Sequence, residues 1–193
     1  GEGRSMECFQ RFFDCMDMEY LSEVEAVAMD MNASYSILVE QNLPHAEIVY
    51  DRYHMQAQFG RDVLGAVRLD EARAHKERSK ELLEASGMED DVEERRRLRN
   101  EAKDESRLYS TIKGSRWTLL ANGDDLPSEK VEVLKAILDG HSDLALCYAM
   151  KEEMSRLFEL KDPDEARIGW THWFEGAKAS GIPALVRFAR LKE

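Results

Sequence analysis

The chain has 193 residues, of which 27 are basic and 39 acidic, so its formal net charge is −12. This length and an apolar fraction of 43% suffice for one domain or a small pair of domains with a proper core. No apolar run approaches the ~20 residues of a membrane-spanning helix, no leader suggests secretion, and the three cysteines, an odd number, make no disulfide framework. A reduced cytoplasmic protein is therefore the default, and its negative charge argues against tight non-specific binding of nucleic acid by the whole surface.

The first 54 residues are typical of mixed α/β structure, because short apolar runs alternate with helical spacing. The predicted elements are a helix, a strand, a helix and a strand, at residues 6–18, 24–29, 35–39 and 47–50. The last three form a βαβ unit, in which the strands run parallel and the crossover is right-handed. One face of the first helix is predicted to cover the sheet with four side chains, Phe9, Phe12, Phe13 and Met16.

No convincing strand follows residue 54, and the rest of the chain is predicted to be helical. The expected helices cover residues 55–85, a charged stretch from about 90, a segment through 116–120, and then 129–139, 143–160, 163–179 and the end of the chain after 181. The fold class is thus mixed α/β followed by mostly α, with domains at 1–54 and 55–193. Three tryptophans, Trp117, Trp170 and Trp173, are expected in the core of the helical part.

Two aspartates stand directly after the predicted strands, Asp30 after the first and Asp51 after the second. Parallel strands deliver both carboxylates to one edge of the sheet, and ligands of open α/β folds bind beyond the carboxyl ends of strands. Oxygen ligands of this kind suit Mg²⁺ or Mn²⁺, and His54 lies one helical turn after Asp51, so it faces the same region. The alternative is that both aspartates cap the helices that follow them, and the two interpretations are not exclusive.

Several short motifs then follow one another at familiar distances. They are Gly1-Glu2-Gly3-Arg4-Ser5, Val24 to Met31, Ala46 to His54, Lys113-Gly114-Ser115-Arg116-Trp117, Ala149-Met150-Lys151-Glu152, and Ser180-Gly181-Ile182-Pro183 with Phe188-Ala189-Arg190. In this order, over nearly the whole chain, they resemble the bacterial insertion-sequence transposases of the ISL-three family. The pattern of that family reads Gly-Glu-Gly-Arg, Val-Ala-Met-Asp-Met and Asp-Arg-Phe-His, and Tyr53 stands here in place of its phenylalanine.

The resemblance implies a partial ribonuclease-H-like catalytic core, followed by an all-helical insertion domain, in the Asp-Asp-Glu class of transposases. Such enzymes use two divalent ions, Mg²⁺ or Mn²⁺, to cut a transposon end and join it to target DNA. Asp30 matches the second catalytic acid and metal ligand of the family. Asp51 and His54 match a (Cys/Asp)-x-x-His signature that has a supporting role near the DNA. The expected DNA contacts are Arg52, Arg187 and Arg190.

The same resemblance places the first catalytic aspartate before the Gly-Glu-Gly-Arg motif and the catalytic glutamate after the Phe-Ala-Arg stretch. Neither is expected within residues 1–193, so we expect a transposase fragment that does not cut DNA by itself and that needs no cofactor alone. The intact enzyme is expected to bind transposon ends in the bacterial cytoplasm. A homodimer that covers an exposed sheet edge at 24–29, or cover of that edge by the helical part, is also expected.

Two other interpretations of function stay open. The chain is either a non-catalytic helical module that contacts protein or DNA, as a transposase remnant would, or an unrelated α/β binder of metal or phosphate through Asp30 and Asp51. The basic run Arg95 to Arg99 is predicted to be a solvated helix face with ion pairs rather than a phosphate track. Cys8 and Cys15 are predicted to pack as small apolar residues, and four histidines without metal-ligand spacing receive no role: His45, His75, His141 and His172.

Overall fold

A computed structural model describes residues 5–30 and 32–193 of the chain, so the motif at 1–4 and Met31 lie outside the described residues. The chain forms two compact units, which divide between Ala57 and Gln58. The described residues are mostly helical, with a small two-stranded parallel sheet. None of the described helices combines the length and the apolar character that crossing a bilayer requires.

The first unit contains the predicted strand–helix–strand arrangement. Its elements are α1 (Met6–Asp14), α2 (Met18–Ser22), β1 (Ala26–Met29), α3 (Ala33–Asn42) and β2 (Glu47–Tyr50). The two strands are parallel neighbours, with Ala26 opposite Glu47 and Met29 opposite Tyr50. The second strand has the predicted bounds, whereas the first is two residues shorter than predicted.

The helix predicted over 6–18 is confirmed over Met6–Asp14, but it ends four residues earlier than predicted, and a second helix begins at Met18. The first ends with Cys15 as its C-cap, and Asp17 then caps the second by accepting a hydrogen bond from the backbone N–H of Glu19 (3.2 Å). Asp favours this N-cap position because its carboxylate satisfies an N–H that has no partner within the helix. The local capping preference of Asp17 therefore outweighs the continuous apolar pattern.

One face of the small sheet packs on the core of the first unit. The buried members of this core are Phe13, Leu21, Leu38, Val39 and Leu43, and the partly buried ones that pack on them include Phe9, Val27, Met29 and Ile48. The prediction that four side chains of the helix at 6–18 cover the sheet is only half right, because Phe12 and Met16 are exposed. The opposite sheet face is exposed too, at Ala26, Ala28 and Val49.

The second unit is built from helices. The chain enters it within α4 (Arg52–Phe59) and continues through a π-helical segment (Gly60–Leu64) into α5 (Gly65–Met88). The long helix predicted for 55–85 is therefore confirmed, and the π-helical segment within it was not predicted. The helices that follow are α6 (Val92–Gly114), α7 (Arg116–Leu120), α8 (Ser128–Gly140), α9 (Ser142–Leu157), α10 (Pro163–Ala179) and α11 (Pro183–Lys192), with a 3₁₀ turn at Gly123–Asp125. Gly181, at φ +75°, supplies the left-handed turn between α10 and α11.

Trp173 lies in the core of the second unit, as predicted. It is 3% exposed, its ring packs edge-on against Phe59 at a centroid distance of 6.0 Å, and its indole N–H donates to the carbonyl of Met150 (2.9 Å). Trp170 packs edge-on against it, with ring centroids 5.9 Å apart, and is partly buried. The prediction for Trp117 is wrong, because this side chain is 73% exposed.

Two buried cations close the C-terminal ends of helices in the second unit. Arg68 donates to the carbonyls of Ile112 and Lys113 at the end of α6, and Lys151 donates to the carbonyls of Leu119 (3.3 Å) and Ala121 (2.6 Å) at the end of α7. The last carbonyls of a helix have no partner within it, and they carry partial negative charge. Lys151 of the Ala-Met-Lys-Glu motif therefore caps the helix that begins within the Lys-Gly-Ser-Arg-Trp motif.

A hydrogen-bonded chain of side chains joins three further helices. His141 Nδ1 donates to the carbonyl of Ile137 (2.7 Å), which leaves its Nε2 to accept from His75 Nε2 (2.8 Å). The other nitrogen of His75 lies 2.6 Å from the carboxylate of Glu105. The sequence assigned no role to either histidine, and the structure shows a packing role that ties α5 and α6 to the start of α9.

Candidate functional site

The two strands of the first unit end side by side, and an aspartate follows each of them. Asp30 comes directly after β1 and Asp51 directly after β2, and the backbone N–H of Asp51 donates to the carbonyl of Met29 (3.0 Å). The parallel register therefore places the two aspartates at the same edge of the sheet. This is the geometry that the strand spacing predicts.

Helix capping accounts for one of the two aspartates. The Oδ1 of Asp51 accepts from the backbone N–H of Tyr53 (2.8 Å) at the start of α4. The N-cap of α3 is Asn32, whose Oδ1 accepts from the N–H of Ser34 (3.0 Å). The capping interpretation is thus right for Asp51, whereas Asp30 is not the cap of the helix that follows it.

His54 lies between the two carboxylates. Its Nδ1 is 3.5 Å from Asp30 Oδ2, and its Nε2 is 3.8 Å from Asp51 Oδ2. The side chain of His54 is 58% exposed, that of Asp30 59% and that of Asp51 42%, so solvent reaches all three. The structure brings the three predicted residues together, and their catalytic, supporting and metal-binding roles stay predictions.

The donor set is only part of what a two-metal centre requires. Two carboxylates and an imidazole are suitable ligands for a divalent ion, but the imidazole fills the space between the carboxylates, and Asp51 Oδ1 already accepts from the backbone. Among the described residues, no group of three or more His, Cys, Asp or Glu side chains is arranged to hold a metal ion. These residues alone do not fit a complete site for Mg²⁺ or Mn²⁺.

Of the three predicted DNA contacts, one belongs to the first unit and two belong to the second. Arg52 places its guanidinium 5.1 Å from the ring centroid of the exposed Tyr53, beside the strand-end carboxylates. Arg187 and Arg190 are exposed on α11, in the second unit. Arg187 lines two open cavities of about 340 and 460 Å³. The pKa of Asp62 is below its ordinary value, mainly because Asp62 accepts a hydrogen bond from Arg61, and the charge of Arg187 contributes to a smaller extent.

Aromatic and basic side chains also meet on an exposed surface that was not predicted from the sequence. The guanidinium of Arg116 lies 5.0 Å from the ring of Trp117, and Lys113 Nζ lies 5.3 Å from the ring of Tyr109 and donates to its hydroxyl (2.9 Å). Because of this bond and the charges of Lys113 and Lys76, the pKa of Tyr109 is below its ordinary value. The available signal was the Tyr-x-x-x-Lys spacing that precedes Arg116-Trp117.

Comparison with known proteins identifies the class and then the family. A family model described as a transposase, of the ISL3 type, matches residues 1–192. The transposase for insertion sequence element IS1001 of Bordetella parapertussis is 34% identical over 193 residues, which are 100% of this chain and 41% of that relative. No solved structure matches the chain significantly. The sequence is thus that of a transposase of a mobile element, and the chain belongs to the ISL3 transposase family, as the ordered motifs indicated.

Proposed function

We propose that the chain supplies the second catalytic aspartate, Asp30, to a transposase centre that cuts and joins DNA strands with the help of divalent metal ions. The observation that carries this proposal is the meeting of Asp30, Asp51 and His54 at the carboxyl ends of two parallel strands. Membership in the transposase family supports it, and so does the position of Asp30 within the Val-Ala-Met-Asp motif. The ribonuclease-H-like character of the core belongs to the same proposal.

Each of the three residues has a distinct part in this centre. Bound Mg²⁺ or Mn²⁺ would activate the attacking hydroxyl and stabilise the leaving oxygen. Asp30 offers a solvent-accessible carboxylate at the end of β1, and His54 orients it through Nδ1. Asp51 holds α4 in place through its cap and keeps the imidazole between the two carboxylates.

The chain spans less than half the length of the curated relative that it matches, so the activity of a whole transposase is a proposal here. We infer that residues 1–193 alone do not cleave DNA, because a two-metal centre needs more carboxylates than this site offers. A supercoiled plasmid incubated with the chain and Mn²⁺ should stay supercoiled. Metal-dependent nicking that disappears in Asp30→Asn would contradict this inference.

The proposed partner is DNA, in particular the ends of the mobile element. The proposed cellular location is the bacterial cytoplasm, where that DNA is accessible. A second copy of the chain is a further proposed partner, since the sheet of the first unit leaves apolar residues such as Ala28 and Val49 exposed.

A transposition assay tests the role of Asp30. The full-length transposase reading frame that contains this chain is expressed beside a donor plasmid that carries a marker between the sequences flanking that frame. Asp30→Asn keeps the shape of the side chain and removes its charge, so marker transfer should fall to background. The matched control is Glu40→Gln, an exposed residue of α3 in the same unit, and it should leave the transfer frequency unchanged.

Two results would speak against the proposal. If Asp30→Asn transfers the marker at the frequency of the natural protein, Asp30 has no catalytic part. If Glu40→Gln lowers the frequency as much as Asp30→Asn, the assay reports the loss of any negative charge in this unit rather than the loss of a catalytic group.

A further inference from the structure

One face of α6 carries basic residues and no acidic ones. Arg99, Lys103 and Lys113 follow one another at helical spacing, with Ser106 and Ser110 between them, and all five are exposed. The acidic residues of this part of α6 lie on other faces, at Glu101, Asp104 and Glu105. At about 1.5 Å per residue, the stripe from Arg99 to Lys113 is about 21 Å long. We call Arg99, Lys103 and Lys113 the α6 stripe.

The cations of the α6 stripe differ from several of their neighbours in their partners. Five other exposed cations of α5 and α6 are neutralised by carboxylates, in the pairs Arg73–Asp70, Arg78–Glu81, Lys80–Glu84, Arg97–Glu94 and Arg107–Asp104. Among the described residues, Lys76 and Arg96 are exposed and, like the α6 stripe, have no carboxylate at ion-pair distance. Within the part of the chain that the structure describes, Arg99, Lys103 and Lys113 have no carboxylate at ion-pair distance, and neither has Arg116. The stripe is therefore a local excess of positive charge on a chain of net charge −12.

An aromatic platform stands at the C-terminal end of the α6 stripe. Trp117 is 73% exposed, and Arg116 lies against its ring at 5.0 Å. The fold does not need this indole in its core, since the inward side of α7 is formed by Thr118 and Leu119, both buried. The exposed indole thus offers a flat aromatic surface to a ligand.

We propose that single-stranded DNA binds along the α6 stripe, with phosphates on Arg99, Lys103 and Lys113 and a base stacked on Trp117. Positive side chains that follow a sugar–phosphate backbone, together with an aromatic ring that accepts a base, are the two elements of single-strand recognition. The choice of DNA as the nucleic acid rests on the proposed function. The binding surface itself lies wholly within the second unit and does not include Asp30, which belongs to the first unit.

Two other polyanions fit this surface less well. Duplex DNA offers phosphates but keeps the faces of its bases stacked inside the helix, so it leaves Trp117 uncovered. An acidic peptide satisfies the cations and likewise offers no flat ring to the indole. Single-stranded DNA is the polyanion that uses both the stripe and the platform.

The test measures the binding of a fluorescein-labelled oligothymidylate of about 20 nucleotides to the 193-residue chain by anisotropy, at several salt concentrations. Trp117→Ala should weaken the binding about 5-fold or more, and Trp117→Phe, which keeps a ring, should weaken it less. Lys103→Ala and Lys113→Ala should each reduce the slope of log K against log salt by about 0.7. Quenching of tryptophan fluorescence by the oligonucleotide should be lost in Trp117→Phe.

The control variant is Arg107→Ala, on the same helix and with the same change in charge. Arg107 already pairs with Asp104 (2.9 Å), so this variant should keep the salt slope of the natural chain. Circular dichroism and thermal unfolding show that each variant is folded before its binding is compared.

Three results would overturn the proposed surface. They are no binding of the oligothymidylate at low salt, equal binding of Trp117→Ala and the natural chain, and polyglutamate or duplex DNA binding as tightly and with the same dependence on Trp117. None of them bears on Asp30, because the transposition assay measures Asp30 directly. Conversely, loss of the role of Asp30 would leave the oligonucleotide result intact.

Discussion

His54 contacts both strand-end carboxylates, which makes it the residue whose replacement best separates positioning from catalysis. In His54→Ala, Asp30 keeps its charge but loses the imidazole at 3.5 Å, which we propose orients it. Loss of an orienting group typically lowers activity about 10- to 100-fold, so transposition should fall to an intermediate frequency. A fall to the background level of Asp30→Asn would show instead that the imidazole itself is indispensable to the reaction.

Because the thiol of Cys147 is buried, we expect the folded state of the second unit to lose stability at alkaline pH. Burial, and then the charge of Asp143, raise the pKa of this thiol from 9.0 to about 12. The unfolded chain therefore releases the proton first, and between pH 9 and about pH 12 the folded state loses stability as the pH rises. Burial, and then Glu152, raise the pKa of Tyr148 to about 12 as well, which adds to the loss from its ordinary value of 10.0 upward.

Urea unfolding of the second unit at stepped pH values measures this effect. The midpoint should fall steadily above pH 9, and the fall should be shallower in Cys147→Ala. Cys15, which is exposed, provides the control, since Cys15→Ala should leave the pH dependence as it is. An identical slope in Cys147→Ala would rule out this thiol as a source of the effect.

The exposure of Trp117 shows why a residue-scale prediction failed. Hydrophobicity alone placed this indole in the core, yet α7 has only five residues, too few for a helical period to indicate which side faces inward. The structure turns the small Ser115 and Thr118 inward and the indole outward. The aspartates were predictable for the opposite reason, since the polarity of parallel strands brings their ends together without any knowledge of packing.

At the scale of helices, the buried ammonium of Lys151 is expected to stabilise the second unit strongly. It donates to two carbonyls of α7 and pairs with Glu152 at 2.7 Å. Lys151→Met would leave the carboxylate of Glu152 unpaired and two carbonyls unsatisfied, at a cost of about 3–5 kcal/mol in the free energy of unfolding.

The matched control for Lys151 is Lys135→Met, which removes an exposed ammonium paired with Glu132. Exposed ion pairs contribute about 0–1 kcal/mol, so this variant should unfold at nearly the same urea concentration as the natural chain. Equal midpoints for the two variants would mean that the carbonyl contacts of Lys151 add nothing to stability.

The helices whose ends are marked by capping residues or by proline were predicted best. The helix Pro163–Ala179 has the predicted bounds, because proline suits the first turn and Asp162 caps it by accepting from the N–H of Asp164 (2.8 Å). The π-helical segment after α4 was not predicted, because the pattern of apolar residues does not distinguish the hydrogen bonds of a π-helix from those of an α-helix. There Gly60 lies so close to Leu120 that a Cβ would stand 2.5 Å from its Cδ2, a tertiary contact that the local sequence does not reveal.

At the scale of the whole molecule, charge is divided unevenly between the two units. The first 57 residues contain 11 acidic and 3 basic residues, so the unit that carries Asp30 is strongly negative. Such a surface repels phosphates at low salt. We therefore expect the α6 stripe to attract DNA. Near Asp30, we expect the positive charge of bound metal ions to offset the repulsion between the first unit and the phosphates.

The exposed sheet face predicts self-association of the chain. A two-stranded sheet is marginal alone, and over residues 5–30 and 32–193 each of its strands has one edge without a partner strand. These edges and the exposed Val49 offer a template for a second copy. Sedimentation velocity at rising protein concentration should show a shift toward dimers, and Val49→Lys should abolish it. The control is Val133→Lys, a comparably exposed apolar residue of α8, which should associate like the natural chain. A natural chain that stays monomeric throughout would exclude this mode of association.

The graded burial of the cysteines has a practical consequence for following the two units separately. Cys15 is exposed and Cys8 partly so, both on or beside α1, whereas Cys147 is buried. A maleimide dye added under native conditions should therefore mark the unit of Asp30 and leave the other unlabelled, while the natural indole of Trp117 reports on the second. The natural sequence thus allows each unit its own optical reporter, a dye on the first and an indole in the second, and the two signals would tell which unit meets DNA first.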